Sequence, residues 1–66
     1  MMEGWIKYYN DLKGFGFIES NGEDFFFHIK SVVTPGVKTL FRGQPVNFYP
    51  GLGPKGKISK KVDLLP

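Results

Sequence analysis

The segment that decides the fold is KGFGFIESNGEDFFFH, residues 13–28. Phe15 to Glu19 is aromatic and β-branched, a composition that favours a β-strand. Asn21-Gly22 follows, and this dipeptide tolerates the positive φ angles of a type I′ turn, the strongest short-range signal for a hairpin. Asp24 to His28 has the composition of a returning strand. The segment therefore predicts an antiparallel β-hairpin.

One face of this hairpin is predicted to carry flat rings. Side chains alternate across a strand, so a core position for Ile18 turns the phenylalanines of the same strand outward. In the returning strand, Phe25 and Phe27 are assigned to the core, which leaves the alternate positions outside. The outward rings are Phe15, Phe17, Phe26 and His28, with Lys13 at their margin. Phe48 is also assigned to the core, while Trp5, Tyr9, Phe41 and Tyr49 are left without an assignment.

The rest of the chain predicts three further strands. Trp5–Tyr9 precedes the hairpin, and Gln44–Tyr49 and Lys57–Val62 follow it. Ile29–Val33 allows at most one short 3-10 turn after the third strand, and Pro50–Pro54 is predicted to be a loop because proline and glycine oppose regular pairing. No segment shows a helical period over twelve residues. Five short strands predict an all-β protein, a small barrel that is closed or partly closed.

Composition limits the other possibilities. The chain has 66 residues, which suits one domain, and no cysteine for a disulfide or a thiolate metal site. No leader peptide or apolar membrane segment is visible, so we expect an intracellular, cytoplasmic protein. Aromatic residues make up 17% of the chain, more than so small a core can easily bury, and the net charge is +3. Both features favour an exposed binding surface.

Exposed rings beside lysines suit single-stranded nucleic acid. A base stacks on an aromatic ring, lysines neutralise phosphates, and Gly14 and Gly16 would let a strand lie close. Duplexes hide their base faces, so unpaired strands are the expected ligand. The alternative is a small barrel that uses the same rings to bind a protein. Lysines and glycines beside the rings favour nucleic acid over that alternative.

Catalysis is not expected. His28 is the only histidine, and Asp24 on the same face lies about 13 Å away along the strand, too far to orient it. No cluster of histidines and carboxylates offers a metal site, and Gly14-Phe15-Gly16 lacks the rest of a phosphate-binding loop. We therefore expect neither an enzyme nor a cofactor.

The hairpin resembles a known family. Lys13–Ile18 resembles the first RNP motif of bacterial cold-shock proteins, and Asp24–His28 resembles the second. The resemblance extends over about residues 2 to 62, in order and with similar spacing. It implies a single cold-shock domain over residues 1–66, folded as a five-stranded antiparallel OB-type β-barrel. It also implies binding of single-stranded RNA and DNA with little sequence preference, a pyrimidine-rich ligand, and a role as RNA chaperone or regulator of gene expression.

The resemblance also implies roles for individual residues. Base stacking is expected of Phe15, Phe17, Phe26 and His28, and Tyr8 occupies a position where the family usually has a stacking tryptophan. Lys7 and Lys13 match positions that face the nucleic-acid backbone, and Asn10 matches an asparagine at the end of the first strand. Ile29 and Val37 stand where many members have further phenylalanines, so fewer stacks are expected. A monomer is the default, and a strand-swapped dimer is the alternative.

Two strands conflict with strict alternation. With Ile6 inward, alternation turns Tyr8 inward as well, whereas the resemblance places Tyr8 on the binding face. A bulge or a strong twist near Lys7 would reconcile the two. Near the C-terminus, Lys60 shares its parity with two apolar residues, so it must snorkel or the strand must be irregular. The basic segment around it, Lys55, Lys57, Lys60 and Lys61, is either an ordinary charged face or an added attraction for phosphates. Lys57 is included among the candidate binding residues.

Overall fold

The structure, a computed structural model, describes residues 1–66. It contains five strands and one 3-10 turn: β1 (Met2–Asn10), β2 (Phe15–Ser20), β3 (Glu23–His28), the 3-10 turn (Ile29–Ser31), β4 (Pro45–Gly53) and β5 (Gly56–Leu64). The strands close a barrel in the order β1-β2-β3-β5-β4, with β4 paired back to β1. The predicted five-stranded barrel is confirmed. One pair departs from the antiparallel expectation, because β3 and β5 run parallel with Phe26 opposite Ile58.

The barrel interior follows the alternation predicted for the hairpin. The buried apolar side chains come from all five strands and one loop: Ile6, Ile18, Phe25, Phe27, Leu40, Val46, Phe48 and Val62. Tyr9 packs against this cluster and stacks on Phe27, with ring centroids 6.1 Å apart and planes 10° apart. Leu40 was not predicted, because the loop that carries it has no periodic pattern. Leu40 is 5% exposed and belongs to the same buried cluster as the strand residues.

A bulge in β1 settles the position of Tyr8. Ile6 lies opposite Ile18, but Tyr8 lies opposite Phe17, so β1 has one residue more than β2 at Lys7. The extra residue reverses the alternation, which turns Tyr8 outward while Ile6 and Tyr9 stay on the inner side. The predicted irregularity near Lys7 is confirmed.

The predicted loop at Pro50–Pro54 is wrong. β4 continues through it to Gly53, and a tight turn over Pro54-Lys55 joins it to β5, with Gly53 opposite Gly56. The glycines allow this pairing because side chains of β5 lie across them. A Cβ on Gly51 would come within 2.9 Å of the Lys60 side chain, and one on Gly53 within 3.0 Å of Ile58. Glycine here permits close packing of two strands rather than ending a strand.

A second bulge, in β5, resolves the position of Lys60. Asn47 lies opposite Asp63 but Tyr49 lies opposite Lys60, so β5 gains one residue within that interval. Lys61 occupies it with a φ of 49°, in the left-handed region. Val62 is therefore buried while Lys60 and Lys61 are both exposed. The strand is irregular, and Lys60 does not need to snorkel out of the core.

Candidate nucleic-acid interface

Four aromatic side chains form one continuous surface on the outside of β1, β2 and β3. This ring platform consists of Tyr8, Phe15, Phe17 and Phe26. The ring of Phe15 lies 5.7 Å from that of Phe26 and 6.3 Å from that of Tyr8, measured between centroids. Phe17 lies 5.9 Å from Phe26 in an edge-on arrangement. Phe15 and Phe26 are nearly parallel, with planes 27° apart, whereas Tyr8 and Phe17 are turned by 57° and 89° against Phe15, so the platform presents ring faces in several directions.

Strand register holds the platform together. Phe17 lies directly opposite Phe26 in the β2–β3 ladder and opposite Tyr8 in the β1–β2 ladder. Directly opposed residues on one face of a sheet have Cβ atoms only about 4.5–5.5 Å apart, and the rings of Phe17 and Phe26 meet in this way. The Tyr8 ring instead meets the diagonal neighbour Phe15. Tyr8 is 47% exposed and Phe26 is 38% exposed, although both are large apolar side chains. The sheet therefore places unburied rings side by side.

The fold itself requires both glycines beside the platform. Gly16 is buried, and a Cβ there would lie 2.2 Å from the backbone oxygen of Tyr8 and 2.9 Å from the ring of Phe27. Gly14 adopts a φ of 70°, which the turn between β1 and β2 requires. The expectation that both glycines open space for a nucleic-acid strand is wrong for Gly16, because it faces the core.

Asn10 connects the platform to the β1–β2 turn. Its side-chain amide donates to the Tyr8 hydroxyl at 3.2 Å, and its side-chain oxygen accepts from the Lys13 backbone N–H at 3.0 Å. These bonds orient Tyr8 and fold the turn that carries Lys13. The Lys13 side chain is exposed and has no carboxylate within ion-pair distance.

His28 ends β3 opposite Phe15, at the border of the platform. Its Nδ1 accepts a hydrogen bond from the Lys30 backbone N–H at 3.1 Å and so caps the 3-10 turn. A neutral ring that accepts at Nδ1 carries its proton on Nε2. Nε2 makes no hydrogen bond within the protein, so its N–H is free to donate to a ligand.

The two other candidate lysines are already paired. Lys7 Nζ lies 3.2 Å from both carboxylate oxygens of Asp24 and 3.6 Å from Glu19. The hydrogen bond to Asp24, with its charge, raises the pKa of Lys7 above the ordinary value. Lys57 pairs with Glu23. A phosphate that binds either lysine must therefore compete with a carboxylate.

A groove borders the platform on the side of β5. It has a volume of about 520 Å³ and lies between Phe17 and Phe26 on one side and the β4–β5 turn on the other. The other lining residues are Asp24, Gly53, Pro54, Lys55, Gly56, Lys57 and Ile58. The sequence alone did not link this turn to the rings, because their proximity comes from the parallel pairing of β3 with β5. No local pattern signals that contact.

The positions expected to lack stacking rings lie against the core. Ile29 and Val37 both pack on the buried cluster. Phe41 is 64% exposed in the loop before β4, outside the ring platform. Trp5 is half-buried in β1 between Glu19 and Pro45.

The structure contains neither a candidate metal site nor a helix that could span a membrane. No group of three or more histidine, cysteine or acidic side chains is arranged to hold a metal ion. None of its helical segments has the length and apolar character needed to cross a bilayer.

Comparisons with known proteins give the family. Residues 2–65 match the model of the "cold-shock" DNA-binding domain. Cold shock-like protein CspA of Vibrio cholerae is 46% identical, covering 97% of this chain and 94% of the relative. Cold shock-like protein CspD of Escherichia coli is 47% identical, covering 94% of this chain and 86% of the relative.

A solved structure shows the same fold. The Drosophila Unr segment CSD456 superposes with a TM-score of 0.80 at 21% identity over 98% of this chain, and this chain spans about a quarter (26%) of that one. The closed barrel, the paired RNP-like strands and the match over nearly the whole chain all indicate the same family. The chain belongs to the cold-shock DNA-binding domain family.

Proposed function

We propose that this protein binds single-stranded RNA and DNA by stacking unpaired bases on the ring platform. The observation that carries this function is the unbroken contact among four rings left outside the core, with neighbouring centroids 5.7 to 6.5 Å apart. Each stacked base contributes about 1–3 kcal/mol, and stacking tolerates any base. We therefore expect the protein to bind with little sequence preference. A pyrimidine-rich strand is the probe that we choose for the experiments below. The protein-interaction alternative is not favoured for a member of this family.

Each candidate residue has a physical role in this proposal. Tyr8, Phe15, Phe17 and Phe26 stack on bases, and His28 donates from Nε2 or stacks at the border. Lys13 attracts phosphate directly, because no carboxylate neutralises it. To bind phosphate, Lys7 releases Asp24 and Lys57 releases Glu23. Asn10 positions Tyr8 through its hydrogen bond to the hydroxyl.

Binding of this kind lets the protein act as an RNA chaperone. Bases in a duplex are paired and stacked, so only unpaired bases can reach the platform. By binding them, the protein shifts weak RNA hairpins towards the open state without consuming ATP. We propose that it does so in the cytoplasm, as a monomer in which residues 1–66 form one domain.

A titration tests the proposal. We expect a pyrimidine-rich oligonucleotide to shift the side-chain resonances of the ring platform, while the rings of Phe25 and Phe48 in the core move little. Ring currents from a stacked base act over short distances, so the shifts locate the contact. Uniform small shifts over the whole barrel, or none, would contradict the platform.

Salt dependence provides a separate prediction. If two to four lysines contact phosphates, the logarithm of the binding constant falls against the logarithm of salt concentration with a slope of about −1.4 to −2.8. We expect Lys13→Gln to make the slope shallower by about 0.7, since Lys13 is unpaired in the free protein. A flat dependence for the unmodified protein would exclude the backbone contacts.

Ligand binding is expected to raise the melting temperature. So small a domain derives only about 3–5 kcal/mol from its core, and rings held outside add little. An oligonucleotide at about 100 times its Kd stabilises the folded state by about 2.7 kcal/mol, which corresponds to roughly 10 °C or more. Thermal unfolding followed by circular dichroism measures it. An unchanged melting temperature at saturation would show that the ligand does not prefer the folded state.

A further inference from the structure

The bulge in β5 brings two adjacent lysines to the barrel surface. Strict alternation would send one of Lys60 and Lys61 inward. Instead Lys61 takes up the extra position with a φ of 49°, a conformation that side-chain-bearing residues seldom adopt. Both lysines are exposed as a result, and Val62 keeps its place in the core. The local distortion concentrates positive charge at one place on the strand.

An exposed ring lies beside these lysines. Tyr49 on β4 is directly opposite Lys60 in the ladder and is 46% exposed. The Lys61 ammonium lies over the Tyr49 ring, 6.0 Å from its centroid. Lys60 crosses the backbone at Gly51, where a Cβ would leave no room for it. Ring and cations therefore form a single surface.

No carboxylate neutralises this surface. The ion pairs of the structure involve Lys7 and Lys57 but neither of the two adjacent lysines. Asp63 is the nearest acidic residue in sequence, and its carboxylate accepts a hydrogen bond from Thr34 at 2.5 Å. Lys60 and Lys61 are therefore available to an external anion.

This surface lies on two strands that carry no ring of the platform. In the closed order β1-β2-β3-β5-β4, strands β4 and β5 are the two that do not adjoin β2. The platform is centred on β2, so we expect a short ligand on it to leave Tyr49 free. The barrel measures only 27 × 24 × 18 Å, so a longer strand can pass around it.

We propose that Tyr49, Lys60 and Lys61 form a second contact surface for single-stranded nucleic acid. A base stacks on the open face of Tyr49 while the two lysines bind adjacent phosphates. One protein molecule thereby holds two distant segments of a long strand, which keeps them from pairing with each other. The proposal rests on the proposed function, since the first segment occupies the ring platform. Phosphate is the anion that complements two free cations beside a flat ring.

Oligonucleotide length separates the two surfaces. One OB fold covers about 4–16 nucleotides, so we compare oligothymidylates of about 6 and about 24 nucleotides. We expect Tyr49→Ser to weaken binding of the long strand about fivefold or more, and to leave the short strand unaffected. The charge of the protein does not change, so a general electrostatic effect is excluded. Phe41→Ser, which removes an exposed ring outside both surfaces, is the matched control and should bind both strands normally.

The lysines are tested by salt dependence. Lys60→Gln with Lys61→Asn removes both charges while asparagine tolerates the left-handed backbone. We expect the slope for the long strand to become shallower by about 1.4, and that for the short strand to stay the same. Equal effects on both lengths, or none, would overturn the second surface. Loss of short-strand binding on Phe15→Ala separately tests the platform, so failure of one proposal is distinguishable from failure of the other.

Discussion

Replacing Phe15 with alanine is expected to weaken oligonucleotide binding by about 1–3 kcal/mol, or about 5- to 150-fold. Phe15 is the ring of the platform that contacts those of Tyr8, Phe17 and Phe26. Its removal deletes one stacking face and leaves a gap between the two ends of the surface. The fold should survive, because the side chain lies outside the buried cluster.

Fluorescence or calorimetric titration with a pyrimidine-rich oligonucleotide measures this effect. Phe41→Ala is the matched control, since it removes an exposed ring that does not belong to the platform. Far-ultraviolet circular dichroism checks that both variants are folded. If Phe15→Ala and Phe26→Ala both bind with unchanged affinity, the ring platform is not the binding surface.

Replacing Phe27 with alanine should instead destabilise the fold, by about 3–5 kcal/mol. Phe27 is 1% exposed, stacks on Tyr9, and packs against the space left by Gly16. Truncation leaves a cavity that the closed barrel cannot easily fill. The expected loss equals the whole stability of about 3–5 kcal/mol for a core of this size, so the variant should be largely unfolded at 25 °C.

The neighbouring residue provides a sharp control. Phe26 differs from Phe27 only in the face it occupies, and Phe26→Ala should lower affinity while changing the free energy of unfolding little. Urea denaturation followed by circular dichroism gives both free energies of unfolding. If Phe27→Ala is as stable as the unmodified protein, or if Phe26→Ala unfolds, the inner and outer faces of β3 have been assigned wrongly.

Much of the fold was predictable because its signals are local. Asn21-Gly22 specifies a hairpin through backbone angles available within a few residues, and the two-residue period assigns each side chain to a face. Ile18, Phe25 and Phe27 are buried as predicted, and the outward rings of β2 and β3 meet in one surface. Even the bulge at Lys7 could be anticipated, because the family resemblance placed Tyr8 on the binding face while alternation placed it inward with Ile6.

Other features depend on contacts between distant segments. Pro50–Gly53 becomes part of a strand because β5 lays its side chains across the glycines, which composition does not show. Leu40 is buried by the barrel that its loop crosses. The pairing of Lys7 with Asp24 also joins strands far apart in the chain, and it changes a free cation into a partnered one.

The aromatic hairpin was thus determined by sequence alone: which rings it contains, which face each occupies, and that one face is left outside the core. Backbone angles and strand alternation are properties of neighbouring residues, so they can be inferred without the rest of the chain. Tertiary structure decided which lysines remain free, where the groove beside Phe17 and Phe26 lies, and that Tyr49 meets Lys61. These three features depend on the closure of the barrel and on its two bulges. Strand pairing then brings together residues that are far apart in the sequence.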